Sequence, residues 1–254
     1  MTDDSHRATK TVYSPTYRLP FGVGFVSPPS SFEDLAPTHR TWILDNLAKG
    51  PSGLEIVRNH VMEVFRKPLT VYCRRLIGPD HDPDDVVHDF FCERLSKKDF
   101  FEKWQKSGRR LRDWIRTALR FHALGSRRAR NEHPGLEGDA LPTPKDGPIV
   151  EFERAYAERI IDLALSRARE DLPEVASPKW QAFEMRFHER LKYPAIGREL
   201  GVSAERARQM VRQVSQSVRR HVRTLILMEG IEPWEIDMEI MTILRRVRGK
   251  NLGR

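Results

Sequence analysis

Cysteine is scarce in this sequence, with Cys73 and Cys92 the only two among 254 residues. Two thiols cannot make a disulfide framework, and without a C-x-x-C pair they do not signal structural zinc. Long hydrophobic runs are missing too, and no window approaches the roughly 18–20 apolar residues that a membrane span requires. The opening stretch, MTDDSHRATK, lacks the apolar segment of a secretory signal, so the expectation is a cytoplasmic protein that contacts no membrane. There is no HExxH, no phosphate-binding P-loop and no Ser-His-Asp grouping, so neither catalytic residues nor a cofactor nor a metal is expected. The nearest approach to a metal-dependent phosphohydrolase or nuclease is the pair of dyads His81-Asp82 and His88-Asp89. On a helix, His88 and Asp89 stand about 100° apart, with Asp85 the one other candidate ligand on that face, which is a poor metal site. No internal repeat at solenoid periods is visible.

Apolar residues make up 39% and charged residues 31%, enough for compact helical cores and against wholesale disorder. Residues 1–36 are rich in Pro, Ser and Gly (SPPSS at 27–31) and read as a mostly disordered lead-in. Residues 37–130 carry helical periodicity. The stretch NEHPGLEGDALPTPKDGPIV at 131–150 has seven Gly or Pro in twenty residues, the composition of a flexible linker. A second helical block spans 151–228, and a helical tail occupies 229–254. The expected fold class is all-α, with two helical domains joined by a flexible linker.

The net charge is +8, from 44 basic and 36 acidic residues, and it is unevenly placed. Residues 105–130 hold nine Lys or Arg and one Asp, and residues 204–223 hold six Arg and one Glu. These two segments, at +8 and +5, carry more than the whole excess, as an electrostatic footprint for a polyanion would. A solvated helix face is the blander account of each.

The second basic segment lies within YPAIGRELGVSAERARQMVRQVSQSVRRHV at 193–222. A short helix ends at Leu200, Gly201 supplies a left-handed residue for a sharp turn, and Ser203 stands where an N-cap is wanted. In the next helix Ala204, Ala207, Met210, Val211, Val214 and Val218 fall within an arc of about 120°. Glu205, Arg208, Gln209, Arg212 and Gln216 lie opposite. A narrow apolar seam facing long Arg and Gln side chains is the pattern of a helix-turn-helix whose second helix reads the major groove. Gly197, inside the first helix, costs about 1 kcal/mol relative to Ala unless it serves a close helix–helix approach.

In DPDDVVHDFFCERL at 82–95, Pro83 and its neighbouring Asp residues suit a helix N-terminus. Asp85, Asp89 and Glu93 share a face within about 80° of arc, opposite an apolar face. An acidic stripe is a poor surface for DNA and a good one for a basic protein. The following helix, LRDWIRTALRFHALGSRRAR at 111–130, turns Leu111, Trp114, Ile115, Ala118 and Leu119 inward and Arg116, Arg120 and Arg127 outward, with Arg128 near them. Phe121 and His122 sit at the margin. Arginines beside an exposed aromatic form a surface for phosphates and unpaired bases, although the wheel leaves Phe121 equally open to the core.

In their order, these segments resemble a known family. DPDDVVHDFFCERL resembles the polymerase-binding helix of sigma-70-type RNA polymerase sigma factors, and LRDWIRTALRFHALGSRRAR the promoter-melting helix that follows it. THRTW at 38–42 and FERAYAERI at 152–160 are similar to segments of the extracytoplasmic-function (ECF) sigma factors of planctomycete-like bacteria. The resemblance covers about residues 38–250 and implies a monomeric, two-domain transcription initiation factor. Its partners would be core RNA polymerase and promoter DNA, with an anti-sigma factor left open. By similarity, Asp85, His88, Asp89 and Phe91 would dock on the polymerase. Arg116, Arg120, Phe121, His122, Arg127 and Arg128 would face the non-template strand of the minus-ten element. On the recognition helix, Arg206, Arg208, Gln209, Arg212 and Gln213, with Glu205 beside them in the duplex-contacting set, would read the minus-thirty-five element. The sequence departs from the family's pattern at His88, where Gln is usual, at Phe121–His122, where an Asn is common, and at Gly125, where an Asp is.

A stand-alone helix-turn-helix regulator would explain residues 193–222 and leave the acidic stripe and the 111–130 helix without a role. The tail GIEPWEIDMEIMTILRRVRGK at 230–250 has Ile236, Ile240, Ile243 and Leu244 on one side, fit either to pack back on the second block or to dock a regulator.

Overall fold

A computed structural model describes residues 39–77, 81–130, 146–172, 177–231 and 233–249. The expected lead-in at 1–36 and most of the expected linker lie outside the described residues. All regular structure among the described residues is helical, in ten α-helices with one π and one 3-10 segment, and no helix is long and apolar enough to cross a membrane. The all-α expectation therefore stands for these residues.

The first block contains α1 (His39–Ala48), α2 (Pro51–Ile77), α3 (Pro83–Phe90), α4 (Lys98–Ser107) and α5 (Leu111–Arg130). The second contains α6 (Asp146–Asp171), α7 (Pro178–Phe187), α8 (Tyr193–Glu199), α9 (Ala204–Leu227) and α10 (Ile236–Gly249). Local chemistry sets several boundaries. Asp82 caps α3 by accepting a hydrogen bond from the Asp84 amide at 2.8 Å, with Pro83 in the first turn. Past Phe90 the helix widens into a π turn over Phe91–Leu95. Asp146–Val150, which the composition places in the linker, is the start of α6. Gly147 and Pro148 fall at that helix's beginning, where neither disrupts an established ladder.

The core runs through two long helices. Along α2, Val57, Val61, Phe65 and Leu69 recur every four residues and are fully buried. This helix packs on α1, α3, α5 and α6. Along α6, Phe152, Tyr156, Ile160 and Ala164 form one buried stripe, while Ala157, Ile161 and Leu165 are buried beside it. A helix apolar over so wide an arc must be covered on more than one side. Accordingly α6 lies between α2 and α9. Phe65 stacks on Tyr156 with ring centroids 5.9 Å apart, and Tyr72 meets Phe152 edge-on at 5.9 Å. The buried residues of the two blocks thus form one continuous cluster. At the rim, Arg75 donates to both oxygens of Glu151 at 2.7 and 2.8 Å, and Arg167 pairs with Glu63 at 2.9 Å. Exposed pairs like these contribute little beside the aromatic burial. The tail packs back: Ile236, Ile243 and Leu244 of α10 are buried, and the helix lies on α6 and α9.

Candidate nucleic-acid interface

In the second block, the turn between α8 and α9 has the geometry of a helix-turn-helix. Gly201 adopts φ +64°, a conformation that strains any residue with a Cβ. The Val202 amide donates to the Gly197 carbonyl at 2.8 Å, drawing the chain back over α8. A Cβ on Gly197 would stand 2.6 Å from the Val202 carbonyl oxygen, so close backbone approach is what requires glycine there. Ser203 caps α9, its Oγ accepting from the Arg206 amide at 3.1 Å. Ala207, Met210, Val211, Val214 and Val218 are buried in the seam, with Ile196 of α8. Glu205, Arg206, Arg208, Gln209, Arg212 and Gln213 are all exposed on the other side. Their mutual contacts are loose, with Arg206 3.5 Å from the Gln209 side-chain oxygen and Arg208 4.0 Å from Glu205. These side chains are held by nothing that a DNA groove could not replace.

A second candidate surface lies between α4 and α5. Arg94, Lys97, Lys103 and Arg109 supply cations around an open groove of about 540 Å³, and Phe100, Trp114 and Phe121 supply its aromatic lining. Asp99, also at the groove, is paired with Lys103 at 2.9 Å. Phe121 is 58% exposed at this groove. His122 is instead buried, its ring centroid 5.7 Å from that of Phe90. Burial holds its imidazole below the ordinary pKa, with Arg94 adding to the effect and Glu93, 3.6 Å from Nδ1, opposing it. The margin position read from the wheel thus resolves into Phe121 outward and His122 inward. Arg120 is half-buried, and α5 continues through Arg127 and Arg128, whose side chains lie outside the described residues. Arg116 does not face outward as the wheel suggests. It is clamped between Asp113 at 2.8 Å and Glu153 of α6 at 3.1 Å, with Phe152 beneath its guanidinium.

On α3, Asp85, His88 and Asp89 are exposed, as a docking stripe requires. Phe91 is buried against Phe90 and belongs to the core rather than to that surface. Cys92 is exposed with Sγ 3.6 Å from His88 Nε2, while burial pushes the Cys73 thiol up to about 12 and leaves it inert. No group of three or more His, Cys, Asp or Glu among the described residues is arranged to hold a metal ion.

Comparison of the chain with family models, with curated proteins and with solved structures finds no match. The interface therefore rests on its own geometry.

Arg112, at the start of α5, is buried. It donates to Glu239 of α10, and its guanidinium lies 5.2 Å from the Tyr156 ring centroid. Burial disfavours its charge, but Glu229, Glu239 and Glu153 outweigh that and hold its pKa above the ordinary value. Glu153 also accepts from Arg246 of α10 at 2.6 Å. The basic segment 105–130 thus spends part of its charge inside the molecule. Apart from Asp113, the carboxylates that hold these arginines lie 37 to 129 positions away in sequence, beyond the reach of any local pattern.

Proposed function

We propose that this chain is a cytoplasmic sigma-type transcription initiation factor. In this account residues 37–130 dock on core RNA polymerase and hold the melted strand of a promoter, and residues 151–228 read a duplex element upstream. The observation that carries the proposal is Phe121, more than half exposed beside a groove ringed by Arg94, Lys97, Lys103 and Arg109. Unpaired bases stack on such aromatics while cations follow the phosphates. A regulator that only reads duplex DNA has no use for it.

The helix-turn-helix supports the duplex half of the proposal. Its exposed Arg and Gln side chains suit guanine and adenine edges, and its single copy gives no palindromic symmetry. The exposed carboxylates Asp85 and Asp89 support a basic protein partner for α3. With Arg116 and His122 turned inward, the strand contacts are Arg120, Phe121 and the cations of the groove, together with Arg127 and Arg128 toward the end of α5.

The test is binding of the purified chain to core RNA polymerase, beside an Asp85→Ala/Asp89→Ala variant, with Phe121→Ala assayed for promoter opening. The proposal expects core binding that falls at least about tenfold in the double variant, the loss of two charge pairs. It also expects Phe121→Ala to bind core normally and open promoter DNA poorly. Duplex binding with no core binding in the wild type would identify a stand-alone regulator and remove the role given to α3.

A further inference from the structure

Arg109 and Arg110 are adjacent in the short connection between α4 and α5, yet they serve different surroundings. Arg109 lines the groove beside Phe121. Arg110 is turned to the C-terminal region, 3.3 Å from Glu235 and 3.1 Å from Glu239. Its side chain is one-third exposed, and so is that of Glu235, so solvent and solutes reach this pair. Arg112, two residues on, differs: its side chain is 6% exposed, and its bond to the equally buried Glu239 anchors α10.

We propose that Glu235 and Glu239 act as an autoinhibitory latch, holding Arg110 away from the neighbouring groove until a nucleic-acid phosphate takes their place. This rests on the role proposed above for that groove. Three features of the geometry support the latch. Arg110 directly follows a residue that lines the groove, so its backbone stands one residue from the edge where a strand would pass. The Arg110–Glu235 pair, one-third exposed on both sides, is weak enough for a phosphate to displace, which the buried Arg112–Glu239 pair is not. Glu239 keeps Arg112 when Arg110 leaves, so opening the latch does not strip α10 from the core. The two carboxylates also lower the positive potential at this end of α5, so the closed form disfavours stray polyanions.

The experiment measures binding of a fluorescent single-stranded deoxyoligonucleotide to the full chain and to three variants: Glu235→Gln, Arg110→Ala and the two combined. Glu235 contacts Arg110 and not Arg112, so its replacement leaves the buried anchor intact. The latch predicts that Glu235→Gln binds about threefold tighter at low salt, the gain shrinking as salt rises. It predicts no gain when Arg110→Ala is already present. Should the combined variant gain as much as Glu235→Gln alone, the effect is general charge and the latch is overturned. Equal affinity of wild type and Glu235→Gln overturns the latch while leaving the groove a strand-binding site. If no form binds the oligonucleotide, the latch falls together with the groove's proposed role. A Glu235→Gln/Glu239→Gln variant, checked for folding by circular dichroism, repeats the measurement with both holding groups removed, and the latch requires a gain at least as large.

Discussion

Two glutamates ten residues apart show how partners decide the state of a buried acid. Glu239 is 6% exposed, yet its hydrogen bond from Arg112 and the charges of Arg112, Arg110 and Arg246 outweigh burial and hold its carboxyl below the ordinary range. Glu229 is 1% exposed, with the Arg112 guanidinium and the Tyr156 hydroxyl the groups that favour its charged form. Burial pushes it up to about 8, against the opposing pull of Arg112, with Glu239 and Glu153 adding like charge. An acid whose folded pKa is raised binds more protons when folded than unfolded. Its contribution is full below the unfolded value and is lost as pH rises through 8. His122, with its lowered folded pKa, acts in the opposite sense near and below its ordinary value. The Glu229 effect is therefore cleanest between pH 7 and 8.5. Urea unfolding in that window is expected to show stability falling by up to about 1.4 kcal/mol per pH unit, and Glu229→Gln is expected to flatten the slope. An unchanged slope in the variant would place the titration elsewhere. At this scale the sequence is silent. Arginine in a basic run reads as surface, and nothing near Arg110, Arg112 or Arg116 in the chain announces the carboxylates of α6 and α10 that consume them.

Elements were far more legible where their signals are local. The α8–α9 unit was readable because each part leaves a mark within a few residues: glycine at the turn, serine at the cap and a seam with helical spacing. Gly197 carries a clear prediction because two effects oppose each other there. On helix propensity alone, Gly197→Ala would stabilise by about 1 kcal/mol. The added methyl, however, would meet the Val202 carbonyl at 2.6 Å and the Ala204 amide nitrogen at 3.2 Å, both backbone atoms without a rotamer to yield. Overpacking of this kind costs about 1–3 kcal/mol, so the clash wins. The variant is expected to lose thermal stability and to bind duplex DNA more weakly, because α9 can no longer sit at the same angle to α8. A rise in Tm would show that the turn gives way more readily than its contacts imply. The wheel was less informative at the margins. His122 lies where a few degrees separate surface from core, and packing against Phe90 takes it inward, while the docking role of Phe91 came from the resemblance and the wheel already set it on the apolar face.

For the whole molecule, the decisive helix is α6. Its apolar residues at 152, 155–157, 160–161 and 163–165 cover more than one face, a pattern that already calls for two packing partners. The Gly/Pro-rich stretch before it instead suggested a tether between separate units. Because α6 is held by α2 on one side and α9 on the other, a loss of packing at α9 is felt at α2. Val214 tests this, being fully buried in the α9 seam, outside the recognition face and outside the block that contains α2. Val214→Ala is expected to destabilise the fold by on the order of 2 kcal/mol through lost burial and an unfilled cavity. In a single cooperative unit, the slowest-exchanging amides of α2 report global unfolding, so their protection should fall by the same free energy as those of α9. Two units that unfold independently would leave α2 protection untouched while α9 loses its own. Native-state hydrogen exchange on wild type and variant separates the two. The first outcome would mean that the acidic stripe, the aromatic groove and the recognition helix are presented to their targets by one body, with a spacing set by α6.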